Sequence, residues 1–178
     1  MNRELQLIIG RAQKGDALAF ASLHDRYYEL IYQYYFYRVG SSRYAADRTS
    51  DLFIRMTDRI GFYKPEREDF LPWLYALARS LLMEDLMAQG VPYRQALTAA
   101  PVLTADTRPK DETLPERLRR SLAALSADER DAVIGQLIER RPARSVAREI
   151  GHSVGTVRAL LLSALRKLSA NAAEGAET

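Results

Sequence analysis

The stretch that most constrains the fold runs from Ser145 to Leu168, Ser-Val-Ala-Arg-Glu-Ile-Gly-His-Ser-Val-Gly-Thr-Val-Arg-Ala-Leu-Leu-Leu-Ser-Ala-Leu-Arg-Lys-Leu. Val146, Ala147 and Ile150 give a short helix one apolar face. Gly151 supplies the backbone freedom for a tight turn. Ser153 is a natural N-cap for a second helix. Val154, Val157, Leu161, Ala164 and Leu168 then recur at spacings of three and four, the buried stripe expected of a packed helix. The pattern is that of a helix-turn-helix, whose second helix would enter a DNA major groove. A helical hairpin with no DNA role carries the same pattern.

The 178 residues allow one ordinary domain or two small ones. With 47% hydrophobic residues the chain can build a core, so global disorder is excluded. The absence of cysteine excludes disulfides and thiolate metal sites. His24 and His152 lack ligand-like spacing. No metal site or cofactor is therefore expected. No apolar run approaches a membrane span, and the N-terminus lacks a signal-peptide profile. The expectation is a soluble, cytoplasmic chain without membrane insertion.

The net charge of +3 is uneven. Residues 1–90 carry 12 basic and 12 acidic side chains, and residues 91–114 carry 3 of each. Residues 115–178 carry 11 basic and 8 acidic, so the whole excess lies at the C-terminal end. A mild basic bias there agrees with a DNA-facing module.

The pattern along the chain predicts an all-α fold of two small helical domains joined by a linker, with no strand and no repeat. Residues 1–90 form the first domain, with helices over 3–13, 16–38, 42–60 and 69–89. Asp16, Ser42 and Asp69 are the expected caps, and Gly15 and Gly40 the expected stops. Residues 91–112, interrupted by Pro92, Pro101 and Pro109, form the linker, with a possible short helix over 93–99. Residues 113–170 form the second domain, with helices over 114–125, 127–139, 143–150 and 154–170. Thr113 with Glu116, and Ser126 with Glu129, have the spacing of a capping box. Residues 171–178 are a disordered tail. Seven of the eleven residues from Tyr27 to Tyr37 are aromatic. Core packing explains them best, and a stacking platform for exposed bases is the alternative.

This order of elements resembles the extracytoplasmic-function sigma factors of the sigma-70 family, the initiation factors of bacterial transcription. Three segments carry the resemblance: Ala19–Tyr28; Ala45–Met56 with its continuation Trp73–Arg79; and Ser153-Val154-Gly155-Thr156-Val157-Arg158. The first is similar to the start of region 2. The second is similar to the helix that docks on core RNA polymerase and the helix that meets the −10 element. The third is similar to the helix that reads the −35 element.

The resemblance implies core RNA polymerase and promoter DNA as partners, a possible anti-sigma factor, and no enzymatic chemistry. It implies polymerase contacts at Asp47, Asp51, Phe53 and Arg55. Near the −10 element it implies Lys64, Arg67, Trp73 and Arg79. Near the −35 element it implies Ser153, Thr156, Arg158, Arg166 and Lys167.

Two departures stand out. Where the family carries a run of arginines after the position of Arg79, this chain carries Glu84 and Asp85 and no base before Arg94. Acids there would repel phosphates. Leu160, Leu161 and Leu162 also place apolar groups on a helix expected to have a polar outer face. Leu160 and Leu162 are therefore candidates for a protein interface. Two other functions stay open: a sigma-like regulatory protein with weakened promoter binding, and a helix-turn-helix repressor.

Overall fold

A computed structural model of the chain describes residues 3–90 and 114–174. Every regular element among them is helical, as the sequence predicts. The helices are α1 (Arg3–Ala12), α2 (Ala17–Val39), α3 (Ser42–Arg59), α4 (Phe70–Ala88), α5 (Leu114–Ala123), α6 (Ala127–Val133), α7 (Ala143–Ile150) and α8 (Val154–Glu174). The expected linker at 91–112, the helix over 93–99, the cap at Thr113 and the end of the tail lie outside the described residues. Helix α8 continues through Glu174, past the expected start of the tail at Asn171.

The chain divides into two compact units. One comprises 1–36 and 41–85, the other 37–40 and 86–178.

In the first unit the helix ends follow from single residues. Asp16 Oδ1 accepts from the Leu18 and Ala19 amides at 3.0 and 3.1 Å and caps α2. Its other oxygen takes the Arg11 guanidinium, which holds the carboxyl below its ordinary range. Helix α3 is capped by Ser41 rather than the expected Ser42. Ser41 has the extended backbone an N-cap needs, and its Oγ accepts from Tyr44 N. A short 3₁₀ turn, Ile60–Phe62, ends α3. Gln13 Nε2 reaches the carbonyls of Ile60 and Tyr63 at 3.0 and 2.9 Å and ties α1 to that turn.

The core of this unit holds Leu23, Ile31, Tyr34, Tyr35, Leu52, Met56, Ile60, Phe70 and Leu74. The aromatic run on α2 packs as the core reading expects. Tyr27, Tyr34, Tyr35 and Phe36 are buried, and Tyr28 and Tyr32 are half-buried; Tyr37, which belongs to the other unit, is buried as well. Tyr35 donates its hydroxyl to the Ala78 carbonyl at 3.0 Å, which satisfies a polar group deep in the core. Burial pushes that phenol well above its ordinary pKa.

In the second unit the capping box at Ser126 and Glu129 forms as predicted, with both reciprocal bonds present. The helix expected over 127–139 does not stay regular. Helix α6 widens into a π-helical turn at Ile134–Ile138, and Glu139 N bonds back to Ile134 O. Gly135 explains why this turn can pack. A Cβ there would lie 2.8 Å from Val146 Cγ2 on α7, so only glycine fits without displacement. Gly151 ends α7 in the left-handed conformation, φ 76°, and both its amide and that of His152 bond to Ala147 O.

Ala132, Val146, Ala147 and Val157 form the apolar centre joining α6, α7 and α8, with Leu160 and Leu161 packed partly against it. Ala164 is fully buried. Val154, expected in the buried stripe, is exposed in the first turn of α8. Charged side chains are buried here as well. Asp131 pairs with Arg38 at 2.6 Å, and Glu139 pairs with Arg141 at 3.1 Å. Arg141 also pairs with Glu149 on α7. Desolvation raises the Asp131 carboxyl above its ordinary pKa despite the nearby guanidinium.

Candidate nucleic-acid and protein interfaces

The turn between α7 and α8 is built from Gly151, His152 and Ser153. Ser153 Oγ accepts from Thr156 N at 3.0 Å and shares a hydrogen bond with Thr156 Oγ1 at 2.9 Å. His152 Nε2 lies 2.7 Å from Asp128 Oδ2, which ties the turn to the first turn of α6. Burial of Val157 and Ala164 fixes which side of α8 faces outward. Ser153, Thr156, Arg158 and Arg166 are all exposed. This is the presentation that a groove-reading helix requires.

Lys167 is directed elsewhere. Its ammonium lies 2.8–2.9 Å from the carboxylate of Glu129, a side chain only 5% exposed. Ser163 Oγ donates to the same carboxylate at 2.7 Å. Glu129 thus closes the cap of α6 and grips α8 at two positions one helical turn apart. The Lys167 ammonium, with the Ser126 amide and the Ser163 hydroxyl, outweighs burial and lowers this carboxyl to about 2. In the sequence Glu129 is legible only as half of a capping box.

The leucine pair divides. Leu160 packs partly on the core centre, whereas Leu162 is 57% exposed, and Leu165 is exposed beside it at 40%.

On α3, Asp47 is exposed and Asp51 is held at 2.9 Å by Arg48 one turn earlier. Phe53 is only 8% exposed and packs against His24, with ring centroids 4.7 Å apart. Arg55 pairs with Glu84 of α4 at 2.6 Å. That pairing raises the guanidinium pKa and lowers that of the carboxyl. Asp85 accepts from the Tyr44 hydroxyl at 2.6 Å and lies 3.3 Å from Arg48 Nε. The two acids that the sequence presents as a source of repulsion are therefore engaged with α3.

Among the residues implied near the −10 element, Lys64 and Arg67 are exposed in the loop before α4. Trp73 is half-buried against Tyr63 and Phe70, at centroid distances of 5.3 and 5.4 Å. Arg79 is half-buried on α4. Among the described residues no group of three or more metal-ligating side chains comes together, and no helix is long and apolar enough to cross a membrane.

Residues 23–90, which include α3, match the family described as Sigma-70 region 2. Over 169 residues the chain is 30% identical to the ECF RNA polymerase sigma factor BldN of Streptomyces coelicolor, covering 91% of this chain and 63% of that protein. It is 26% identical over 163 residues to the ECF RNA polymerase sigma factor SigW of Bacillus subtilis, covering 84% and 87%. The chain thus spans somewhat under two thirds of the length of the first relative and most of the second.

Two solved structures share the fold. One is CnrH in complex with the cytosolic domain of CnrY, with TM-score 0.58 and 20% identity over 92% of this chain and 94% of that one. The other is the sigma factor RpoE in complex with the anti-sigma factor NepR from Bartonella quintana, with TM-score 0.60 and 16% identity over 85% and 95%. A region 2 match thus covers residues 23–90, and similarity to two extracytoplasmic-function sigma factors, members of the sigma-70 family, covers 91% and 84% of the chain.

Proposed function

We propose that this protein binds core RNA polymerase through α3 and directs it to promoter DNA, with α8 entering the major groove at a −35 element. It acts in the cytoplasm, by binding and positioning rather than by chemistry. The observation that carries the reading is the coexistence, in one chain, of a region 2 match over residues 23–90 and an outward-facing second helix in the helix-turn-helix. Residues 1–90 and 113–170 are the two functional modules. Asp47, Asp51 and Arg55 serve the polymerase contact, with Phe53 as packing beneath them. Lys64, Arg67, Trp73 and Arg79 serve the −10 side. Ser153, Thr156, Arg158 and Arg166 serve the −35 side.

Lys167 is mainly an internal tie, because its ammonium is already on Glu129. An anti-sigma partner would cover the outer face of α8 at Leu162. CnrH and RpoE, similar in fold, were both solved bound to other proteins, which supports a partner of this kind.

A second reading, a sigma-like regulator with weakened promoter binding, draws on Glu84 and Asp85. They occupy a stretch, residues 80–90, that contains no basic side chain.

The test is a binding titration of the full chain with core polymerase and, separately, with duplex DNA. Saturable binding to polymerase is expected, and none would contradict the reading. For DNA, Arg158→Ala and Arg166→Ala should each weaken duplex binding. Each should also lower the slope of log affinity against log salt by about one, as expected when one fewer phosphate is neutralised. Unchanged affinity and slope in both variants would exclude α8 as the groove helix.

A further inference from the structure

We infer that Glu84 and Asp85 of α4 are positioning residues for the polymerase-docking face of α3. Glu84 holds Arg55, and Asp85 holds Arg48, which in turn holds Asp51. The inference rests on the docking role proposed above for α3.

The geometry is specific. Glu84 Oε1 meets Arg55 Nη1 at 2.6 Å, across 29 residues of sequence. Asp85 takes the Tyr44 hydroxyl on one oxygen at 2.6 Å, and its other oxygen lies 3.4 Å from Arg48 Nη1. Arg48 Nη1 then reaches Asp51 Oδ2 at 2.9 Å, and its guanidinium sits over the Tyr44 ring at 5.6 Å. Arg48 is therefore fixed on three sides, by a carboxylate of α4, a carboxylate of its own helix and an aromatic face.

Long cations left free on a helix surface sample many rotamers, and a partner must restrict them on binding. Here that restriction is already made inside the free protein. The pairs are partly exposed, with Glu84 at 55% and Arg55 at 33%, so they contribute little to folding stability. An effect on partner affinity without an effect on folding is thus the expected signature. Because their carboxylates are occupied in this way, Glu84 and Asp85 also differ from free acids facing a phosphate backbone.

The experiment uses the full chain and purified core RNA polymerase. It compares wild type with Glu84→Gln, Asp85→Asn, the reversed pair Arg55→Glu with Glu84→Arg, and Asp51→Arg. Thermal unfolding is read beside affinity. Glu84→Gln and Asp85→Asn should each bind polymerase about three- to tenfold more weakly, the cost of ordering one rotamer-rich side chain, with unfolding midpoints near wild type. The reversed pair keeps an ion pair and a midpoint near wild type but removes Arg55 from the docking face, so its binding should be weak as well.

Wild-type affinity in the reversed pair, or in both single variants, would overturn the positioning role. If that happened while Asp51→Arg still failed to bind, the docking face itself would stand. Undiminished binding by Asp51→Arg would overturn both.

Discussion

Replacing Glu129 with alanine should cost the second unit about 2–4 kcal/mol, the range for losing a capping interaction together with hydrogen bonds to a charged group. One carboxylate accepts from the Ser126 amide, the Ser163 hydroxyl and the Lys167 ammonium. Removing it frays the start of α6 and releases α8 from two anchors at once. Lys167 is half exposed and regains water, so the loss stays below that of a fully buried ion pair.

The same group sets an acid limit. Its folded pKa is lowered from 4.5 to about 2. Its stabilisation is therefore fully present above about pH 4.5 and is lost as pH falls toward 2. Denaturant unfolding followed by circular dichroism, with hydrogen exchange to localise the change to α6 and α8, checks both points. Glu129→Gln should lack this share of the acid-dependent decline. Equal stability of wild type and Glu129→Ala at neutral pH would contradict the anchoring role.

The second large effect is expected at Gly135. Alanine there places a methyl group 2.8 Å from Val146 Cγ2, too close for two carbons and between two buried positions. Overpacking of this kind costs about 1–3 kcal/mol. The strain falls on the π-helical turn and on α7, which carries the helix-turn-helix. Val146→Ala removes the opposing methyl groups, so the double variant should be more stable than the sum of the two single losses predicts. Strict additivity, or a neutral Gly135→Ala, would show that the turn can shift to admit a methyl group.

Local signals in the sequence are enough to place most helices. Gly15, Gly40 and Gly151 mark ends because each takes a positive φ. Ser126 and Glu129 mark a start because their spacing fits reciprocal bonds. The capping preference is ambiguous between Ser41 and Ser42, both good N-caps, and tertiary geometry selects Ser41. The π-helical turn is illegible because hydrophobic periodicity does not distinguish one inserted residue. Its cause is a close approach between Gly135 and Val146, which no local spacing reveals.

The site is legible unevenly for the same reason. Residues whose role depends on facing outward from a regular helix, such as Arg158 and Arg166, can be placed by counting. Pairings between helices cannot. Nothing in the spacing says that Glu84 meets Arg55 or that Glu129 takes Lys167, so two acids read as repulsive and one base reads as a DNA contact. The leucine run divides because only the packed structure shows that Leu160 leans on Val157 and its neighbours while Leu162 does not.

Transcription in a defined system is the decisive measurement of whether this protein directs initiation. Core RNA polymerase, the full chain and fragmented genomic DNA from the source organism are combined, and transcript starts are mapped with and without the protein. New starts are expected at a small set of sites sharing −10 and −35 sequences, abolished by Asp51→Arg and reduced by Arg158→Ala. Stable binding to polymerase without any new start would contradict a role in promoter-directed initiation and leave the regulatory role in its place.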